Sequence, residues 1–257
     1  MFKSIRLLSF DITKTLITTS NEIGAEFMKI ASKYGLSPKC DDTVSRLNES
    51  FNKNFKHLNK QLPNFGLKAN MTSEEWWTRL IQLSFADIGY NETSDQQKLQ
   101  QASQQLYKYF SRGNLWHLNP DARELLSELR KQKPEITLAV ASNFDERLET
   151  ILRDLDIRHF FNFMFVSRQC GLAKPDQEFF RHILKTVEVR PNEYLHIGDD
   201  VENDYFPVKK IQGNALIMDP TMETSEINGV DPNDVVPNLK YFQKLILNSE
   251  NDDAVKK

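Results

Sequence analysis

Four short polar clusters break an otherwise apolar pattern, and each comes at or beyond the end of a run that predicts a buried strand. They are Asp11-Ile12-Thr13-Lys14-Thr15 after Ile5–Phe10, Ser142-Asn143 after Ile136–Ala141, Lys174-Pro175 beyond Phe163–Val166, and Gly198-Asp199-Asp200 with Asn203-Asp204 after Tyr194–Ile197. In an open α/β sheet, ligands bind beyond the carboxyl ends of the strands, so clusters at such ends share one rim. Together they offer a carboxylate nucleophile in Asp11, a hydroxyl with adjacent backbone donors at Ser142 and Asn143, a fixed cation in Lys174, and acidic groups for a metal in Asp199, Asp200 and Asp204. Phosphoryl transfer through an aspartyl-phosphate needs these parts. An anionic carboxylate approaches an anionic phosphate only if Mg²⁺ and a lysine screen the repulsion, and an all-oxygen ligand set with retained waters suits Mg²⁺. Singly, each cluster has a plainer reading. Asp11 could cap a turn, Ser142 and Asn143 could cap a helix, Lys174 could be a solvated loop residue, and the three aspartates could open a helix favoured by its dipole. Their joint occurrence at strand ends favours a site.

The elements that must position these residues follow from periodicity. Ile5, Leu7, Leu8 and Phe10 read as a parallel strand covered on both faces. Residues 17–115 predict four helices and no strand: one from an N-cap at Ser20 to Gly35, one from Asp41 or Asp42 to Pro63 and Gly66, one opened by a capping box at Thr72 and Glu75 and ending near Gly89, and one from Ser94 to Gly113. An α/β alternation then resumes, with Asn119-Pro120 as an N-cap and first helical residue. Strands are expected at Ile136–Ala141, Phe163–Val166, Tyr194–Ile197 and Ala215–Met218, and a last helix over Val235–Leu247. The fold class expected is α/β, a Rossmann-like parallel sheet with helices on both faces and a helical cap inserted after the first strand. The domains are residues 1–16 with 116–248 as the core, 17–115 as the cap, and 249–257 as a frayed tail.

Composition narrows the function. The 257 residues are 39% hydrophobic and 27% charged, as in an ordinary globular protein. Lys and Arg total 33 against 36 Asp and Glu, a net charge of -3, which gives no electrostatic case for nucleic acid or an anionic membrane. Cys40 and Cys170 form no metal-binding spacing, which predicts a reduced, cytoplasmic setting. No apolar run is long enough for a membrane span, and entry into a strand by Ile5 predicts no signal peptide. Trp76, Trp77, Phe85 and Tyr109 read as cap core, Trp116 as packing at the hinge, and His196 as a buried hydrogen-bonded histidine, while Asn64 to Gly66 reads equally as a turn or as a cap loop reaching the substrate. Cys170 has no partner base in its surroundings that would make it a nucleophile.

Over nearly its whole length the chain resembles the haloacid dehalogenase superfamily. DITKT resembles its first motif, SN the second, KP the third and GDDVEND the fourth, and the insertion after DITKT resembles a type 1 cap. Within the superfamily, PNFGLKANMTSEEWW, NFDERLETIL and HIGDDVENDY resemble the branch of the rhythmically expressed gene 2 and haloacid dehalogenase-like hydrolase domain-containing protein 3 sequences. The resemblance implies a sheet order of 5-4-1-2-3 and a small phosphorylated substrate selected by the cap. It implies Asp11 as nucleophile and Mg²⁺ ligand, the Thr13 carbonyl as a second ligand, and Thr15 orienting the loop. Ser142 and the amide of Asn143 would hold the phosphoryl group, and Lys174 would pair with Asp11 and the phosphate. Asp199 would bind Mg²⁺ directly, with Asp204 or Asp200 in support.

Thr13 departs from that pattern. Phosphatases of the superfamily carry a second aspartate there, which protonates the leaving alkoxide and later deprotonates the attacking water. A threonine hydroxyl cannot shuttle protons near neutrality. A general acid or base contributes about 10²–10⁴-fold, against an acceleration of up to about 10²¹ for phosphate monoesters, so its loss slows catalysis without abolishing it. The expectation is a slow Mg²⁺-dependent phosphohydrolase or phosphotransferase. The competing reading is a catalytically weak or inactive protein of the same fold that binds a phosphorylated ligand or a protein partner. A metal-free dehalogenase is disfavoured by the acidic cluster Asp199–Asp204, because a second uncompensated carboxylate beside Asp11 is hard to keep ionised.

Overall fold

The computed structural model describes residues 4–19 and 22–248. The N-cap expected at Ser20 and the tail 249–257 lie outside the described residues. The strands are β1 (Leu7–Phe10), β2 (Ile17–Thr19), β3 (Trp116–Leu118), β4 (Thr137–Ser142), β5 (Phe163–Val166), β6 (Tyr194–Gly198), β7 (Asn214–Met218) and β8 (Val235–Val236). A parallel six-stranded sheet has the order β5-β4-β1-β6-β7-β8. Counted within this sheet alone and read from β7 to β5, its first five strands run 5-4-1-2-3, and β8 is an addition at the edge.

That addition corrects the expectation of one helix over Val235–Leu247. Val235 and Val236 pair with Ile217 and Met218, and the helix is Leu239–Asn248. Pro237 explains the break, since the residue before a proline is pushed out of the α region into extended conformation. β2 and β3 form a separate two-stranded ribbon, so Ile17–Thr19 is a strand within a stretch read as wholly helical.

β1 is central, and Leu7, Leu8 and Phe10 are fully buried. Successive side chains of a strand point to opposite faces. Leu7 joins the cluster of Ala139, Phe179, Phe180 and Tyr194 on one face, while Phe10 packs edge-on against Phe242 on the other. Burying each such side chain contributes about 1.5–3 kcal/mol. Asp11 follows directly from the most enclosed strand.

The chain groups into two compact units. One holds the six-stranded sheet and comprises 4–18, 118–144 and 155–248; the other comprises Thr19–His117 and Asp145–Asp154. The second unit contains helices Ile23–Ser32, Thr43–Gln61, Ser73–Ala86 and Thr93–Tyr109. The capping box is present: Thr72 Oγ1 accepts from the Glu75 N–H at 3.1 Å, and Glu75 Oε2 accepts from the Thr72 N–H at 2.7 Å. Trp76 and Phe85 are fully buried, with Trp77 and Tyr109 packed against their clusters.

The segment Asp145–Asp154, read in sequence as part of the α/β core, groups with the helical unit. A buried ion pair accounts for this. Arg147 donates from Nε to Asp145 Oδ1 and from Nη2 to Oδ2, both at 2.7 Å, and Trp77 Nε1 donates to Oδ2 at 2.7 Å. The guanidinium also lies 4.4 Å from the Trp77 ring and 4.8 Å from that of Tyr107. Removing one partner of a buried pair leaves an uncompensated charge, at a cost of about 3–5 kcal/mol. Arg147→Ala should lower unfolding stability by about that amount in urea titration, and Arg147→Lys should recover only part of it, because lysine lacks the bidentate fork. An unchanged midpoint for Arg147→Ala would contradict this assignment.

Candidate active site

The strand ends deliver the site. The Asp11 N–H donates to the Ile197 carbonyl at 2.8 Å, so the β1–β6 ladder carries Asp11 to the rim. Ser142 closes β4, and Asp199 follows the last residue of β6. Lys174 comes from the loop before helix Gln177–Val187, and the Asn143 side chain splints it. Asn143 Oδ1 accepts from the Lys174 N–H at 2.9 Å, and Nδ2 donates to the Lys174 carbonyl at 2.8 Å. Asp204 sits in a π-helical turn, Val201–Tyr205, a geometry frequent at functional sites. The turn brings its carboxyl so close to Gly198 that a Cβ there would lie 2.2 Å from Cγ, and only glycine fits.

Lys174 Nζ donates to Asp11 Oδ1 at 2.7 Å and to Asp204 Oδ1 at 2.6 Å. Ser142 Oγ donates to the same Asp11 oxygen at 3.0 Å. Two donors fill both lone pairs of Oδ1. Among the described residues no donor reaches Asp11 Oδ2, and the backbone N–H groups of Thr13 and Asn143 make no hydrogen bond. A cavity of about 200 Å³ is lined by Asp11, Thr13, Lys14, Ser142, Asn143, Lys174, Asp199, Asp200, Asn203 and Asp204.

The charges do not balance. Burial alone would lower the Lys174 amine, but Asp11 and Asp204 outweigh it and raise it, so it stays charged. Burial would raise the Asp204 carboxyl, but Lys174 and His196 hold it well below the usual carboxylate range. Asp11 remains raised, because burial and the neighbouring Asp204 charge oppose ionisation and Lys174 offsets them only in part. Asp199 is pushed up to about 7, by burial first and then by Asp11 and Asp204, with Lys14 3.9 Å away as a weak counterion. One carboxylate oxygen each from Asp11, Asp199 and Asp204 lie within 4.8 Å of one another. Three hard oxygen donors with surplus negative charge fit a divalent cation such as Mg²⁺.

Of the residues expected from sequence, Asp11, Ser142, Asn143, Lys174, Asp199 and Asp204 converge, and Thr13 lines the cavity. Two of the expected residues are engaged elsewhere. The exposed Asp200 carboxylate caps its own turn, accepting from the N–H groups of Glu202 and Asn203 at 3.0 Å each, and it is absent from the acidic trio. Thr15 is fully buried with its hydroxyl unbonded, so it does not orient the loop through that group. Asn119 is also not the cap immediately before its helix, which starts at Ala122. Its Nδ2 instead donates to the Thr15 carbonyl at 3.3 Å. The half-buried Cys170 thiol is pushed up by burial, which keeps it from being a nucleophile. Ser9 and Tyr194, bonded to each other at 2.7 Å behind the site, had no place in the sequence reading. The available signal was a polar residue at matching positions of two buried strands, Ser9 beside His196.

A family model described as haloacid dehalogenase-like hydrolase matches residues 5–208. The chain belongs to this family. It is 32% identical to the haloacid dehalogenase-like hydrolase domain-containing protein 3 of Bos taurus, over 86% of this chain and 87% of that protein. It is 30% identical to the rhythmically expressed gene 2 protein of Drosophila melanogaster, over 94% and 95%. The fold is similar to that of the HAD-hydrolase YfnB from Bacillus subtilis, whose structure is described as bound to magnesium. The TM-score is 0.67 at 21% identity, over 96% of this chain and all of that one. Among the described residues no helix is long and apolar enough to cross a membrane.

A cation entering the trio must displace the proton that Asp199 carries below about pH 7. Mg²⁺ affinity should therefore rise about tenfold per pH unit below that value and level off above it. Calorimetry in buffers of different ionisation enthalpy should show close to one proton released at mildly acid pH and little at mildly alkaline pH. An affinity independent of pH across this range would count against the electrostatic picture.

Proposed function

We propose that this chain is a slow, Mg²⁺-dependent phosphoryl-transfer enzyme that works through an aspartyl-phosphate at Asp11. The observation that carries the reading is the Asp11 carboxylate with one oxygen fixed by Lys174 and Ser142 and the other left without a donor. In the first step a carboxylate oxygen of Asp11 attacks phosphorus, the bond from phosphorus to the leaving oxygen breaks, and its electron pair departs with that oxygen. Lys174 offsets charge on Asp11 and the arriving phosphoryl group. The open N–H groups of Thr13 and Asn143 provide donors for phosphoryl oxygens, and the Ser142 hydroxyl joins them once its one proton turns from Asp11. In the second step water attacks phosphorus, the bond from phosphorus to the Asp11 oxygen breaks with its electron pair returning to the carboxylate, and the water's proton passes to solvent.

Asp11, Asp199 and Asp204, with the Thr13 carbonyl, would hold Mg²⁺, which when bound screens the repulsion between carboxylates and phosphate. Asp200 stays on its turn. Thr13 supplies no proton to the leaving oxygen and takes none from the water. The substrate is a small phosphorylated molecule with a good leaving group, such as an acyl or aryl phosphate, and the setting is cytoplasmic.

The competing reading, a binder without turnover, draws on Thr13 alone. Leaving-group dependence separates the two. Aryl phosphate hydrolysis should be abolished by EDTA and by Asp11→Asn, and alkyl phosphates should be turned over far more slowly. Thr13→Asp should raise alkyl phosphate turnover by about 10²-fold or more. A folded Thr13→Asp variant with no gain on alkyl phosphates would contradict the role given to Thr13. EDTA-resistant turnover would contradict the metal.

A further inference from the structure

Behind Asp204 runs a buried polar chain that the steps above do not use. His196 is fully buried on β6, beside Ser9 of β1 in the sheet register. Its Nδ1 lies 2.7 Å from Ser9 Oγ, and Ser9 Oγ lies 2.7 Å from the Tyr194 hydroxyl. Its Nε2 lies 3.0 Å from Asp204 Oδ1, the oxygen that also accepts from Lys174. We propose that His196 is a positioning residue for phosphoryl transfer: Nε2–H fixes the Asp204 carboxylate so that Lys174 stays on Asp11, and Ser9 and Tyr194 fix the imidazole tautomer that does so. The inference rests on the function proposed above.

Donor and acceptor counting sets the direction of the bond into Asp204, and the tautomer this selects sets the rest. Asp204 accepts from Lys174 at Oδ1 and from the Asp200 N–H at Oδ2, 3.1 Å away. A carboxylate so placed only accepts, so Nε2 donates. With Nε2 carrying the donated proton, the matching tautomer leaves Nδ1 to accept. Ser9 then donates its single proton to Nδ1, and its oxygen accepts from Tyr194. The bonds run one way, from Tyr194 through Ser9 and His196 to Asp204. Three of the four acceptor sites of Asp204 are thereby filled, which leaves one on Oδ2 for a cation.

A purely architectural role explains the chain less well. The neighbours on this face are apolar, with the Phe180 ring 5.3 Å from that of His196. A buried polar group is costly unless every partner is met, and apolar residues of similar shape are often as stable. The same face holds Leu7 and Ala139, so a sheet of this kind does not need a histidine there. The chain ends on the carboxylate that shares Lys174 with Asp11. Partners that orient a ligand in this way are typically worth about 10–100-fold in activity or metal affinity.

The test uses the intact protein with Mg²⁺ and p-nitrophenyl phosphate. His196→Leu removes the donor, His196→Gln keeps an N–H near the position of Nε2, and Ser9→Ala removes only the anchor on Nδ1. His196→Leu should lower kcat by about 10–100-fold with KM within about twofold. His196→Gln should recover most of the loss, and Ser9→Ala should fall between. In metal-free wild-type protein, long-range ¹H–¹⁵N NMR of the ring should place the proton on Nε2. An Nε2 without a proton, or a glutamine variant as slow as the leucine one, would overturn the proposal. Wild-type turnover with an unaffected Ser9→Ala and His196→Leu would overturn this inference alone. Wild-type protein without turnover would overturn the proposed function as well. Should the leucine variant not fold, Ser9→Ala and the NMR measurement still decide.

Discussion

One buried ammonium shared by two carboxylates holds the site together. Lys174 is almost wholly enclosed, and each of its two short bonds ends on an aspartate from a different strand end. Without the cation, Asp11 and Asp204 would face each other uncompensated, at a cost of about 3–5 kcal/mol. Much of the surrounding structure keeps that geometry. The Asn143 amide clamps the Lys174 backbone from both sides. The absence of a side chain at Gly198 lets Asp204 approach, and the π-helical turn swings it into place. The β1–β6 ladder extends to Asp11 itself.

The arrangement is electrostatically incomplete by design of its residues. Three carboxylates converge and a single buried lysine answers them. Asp204 is held low by Lys174 together with its further donor His196. Asp11 and Asp199 are left with raised pKa values. A divalent cation would complete the count, and oxygen donors are the chemistry it prefers. In the proposed reaction the same cation would let Asp11 meet a phosphate.

Much of this was legible in the chain. Strands covered on both faces read as apolar runs, and the abrupt polar ends at Asp11, Ser142 and Asp199 mark the rim. The capping box at Thr72 is a local rule and was met locally. What escaped depended on distant partners or on very short elements. Asp145 and Arg147 sit in an ordinary helical pattern, and only Trp77 and Tyr107, far away in sequence, show why their segment joins the helical unit. A two-residue strand such as β8 has no periodicity to detect. Asp200 and Asp204 are equivalent by composition; the extra residue in the turn decides that Asp204 faces Lys174. Ser9 and His196 stood in plain view as polar residues in buried strands, but their pairing needed the register of β1 against β6.

The central claim is that Asp11 is a competent nucleophile in this setting. The most direct measurement is intact-mass analysis, quenched at acid pH, of protein incubated with Mg²⁺ and acetyl phosphate beside an Asp11→Asn control. The account predicts one added phosphate on the wild-type chain, none on the control, and slow loss of the adduct because Thr13 does not activate water. A folded, Mg²⁺-binding protein that shows neither adduct nor released product would contradict the account.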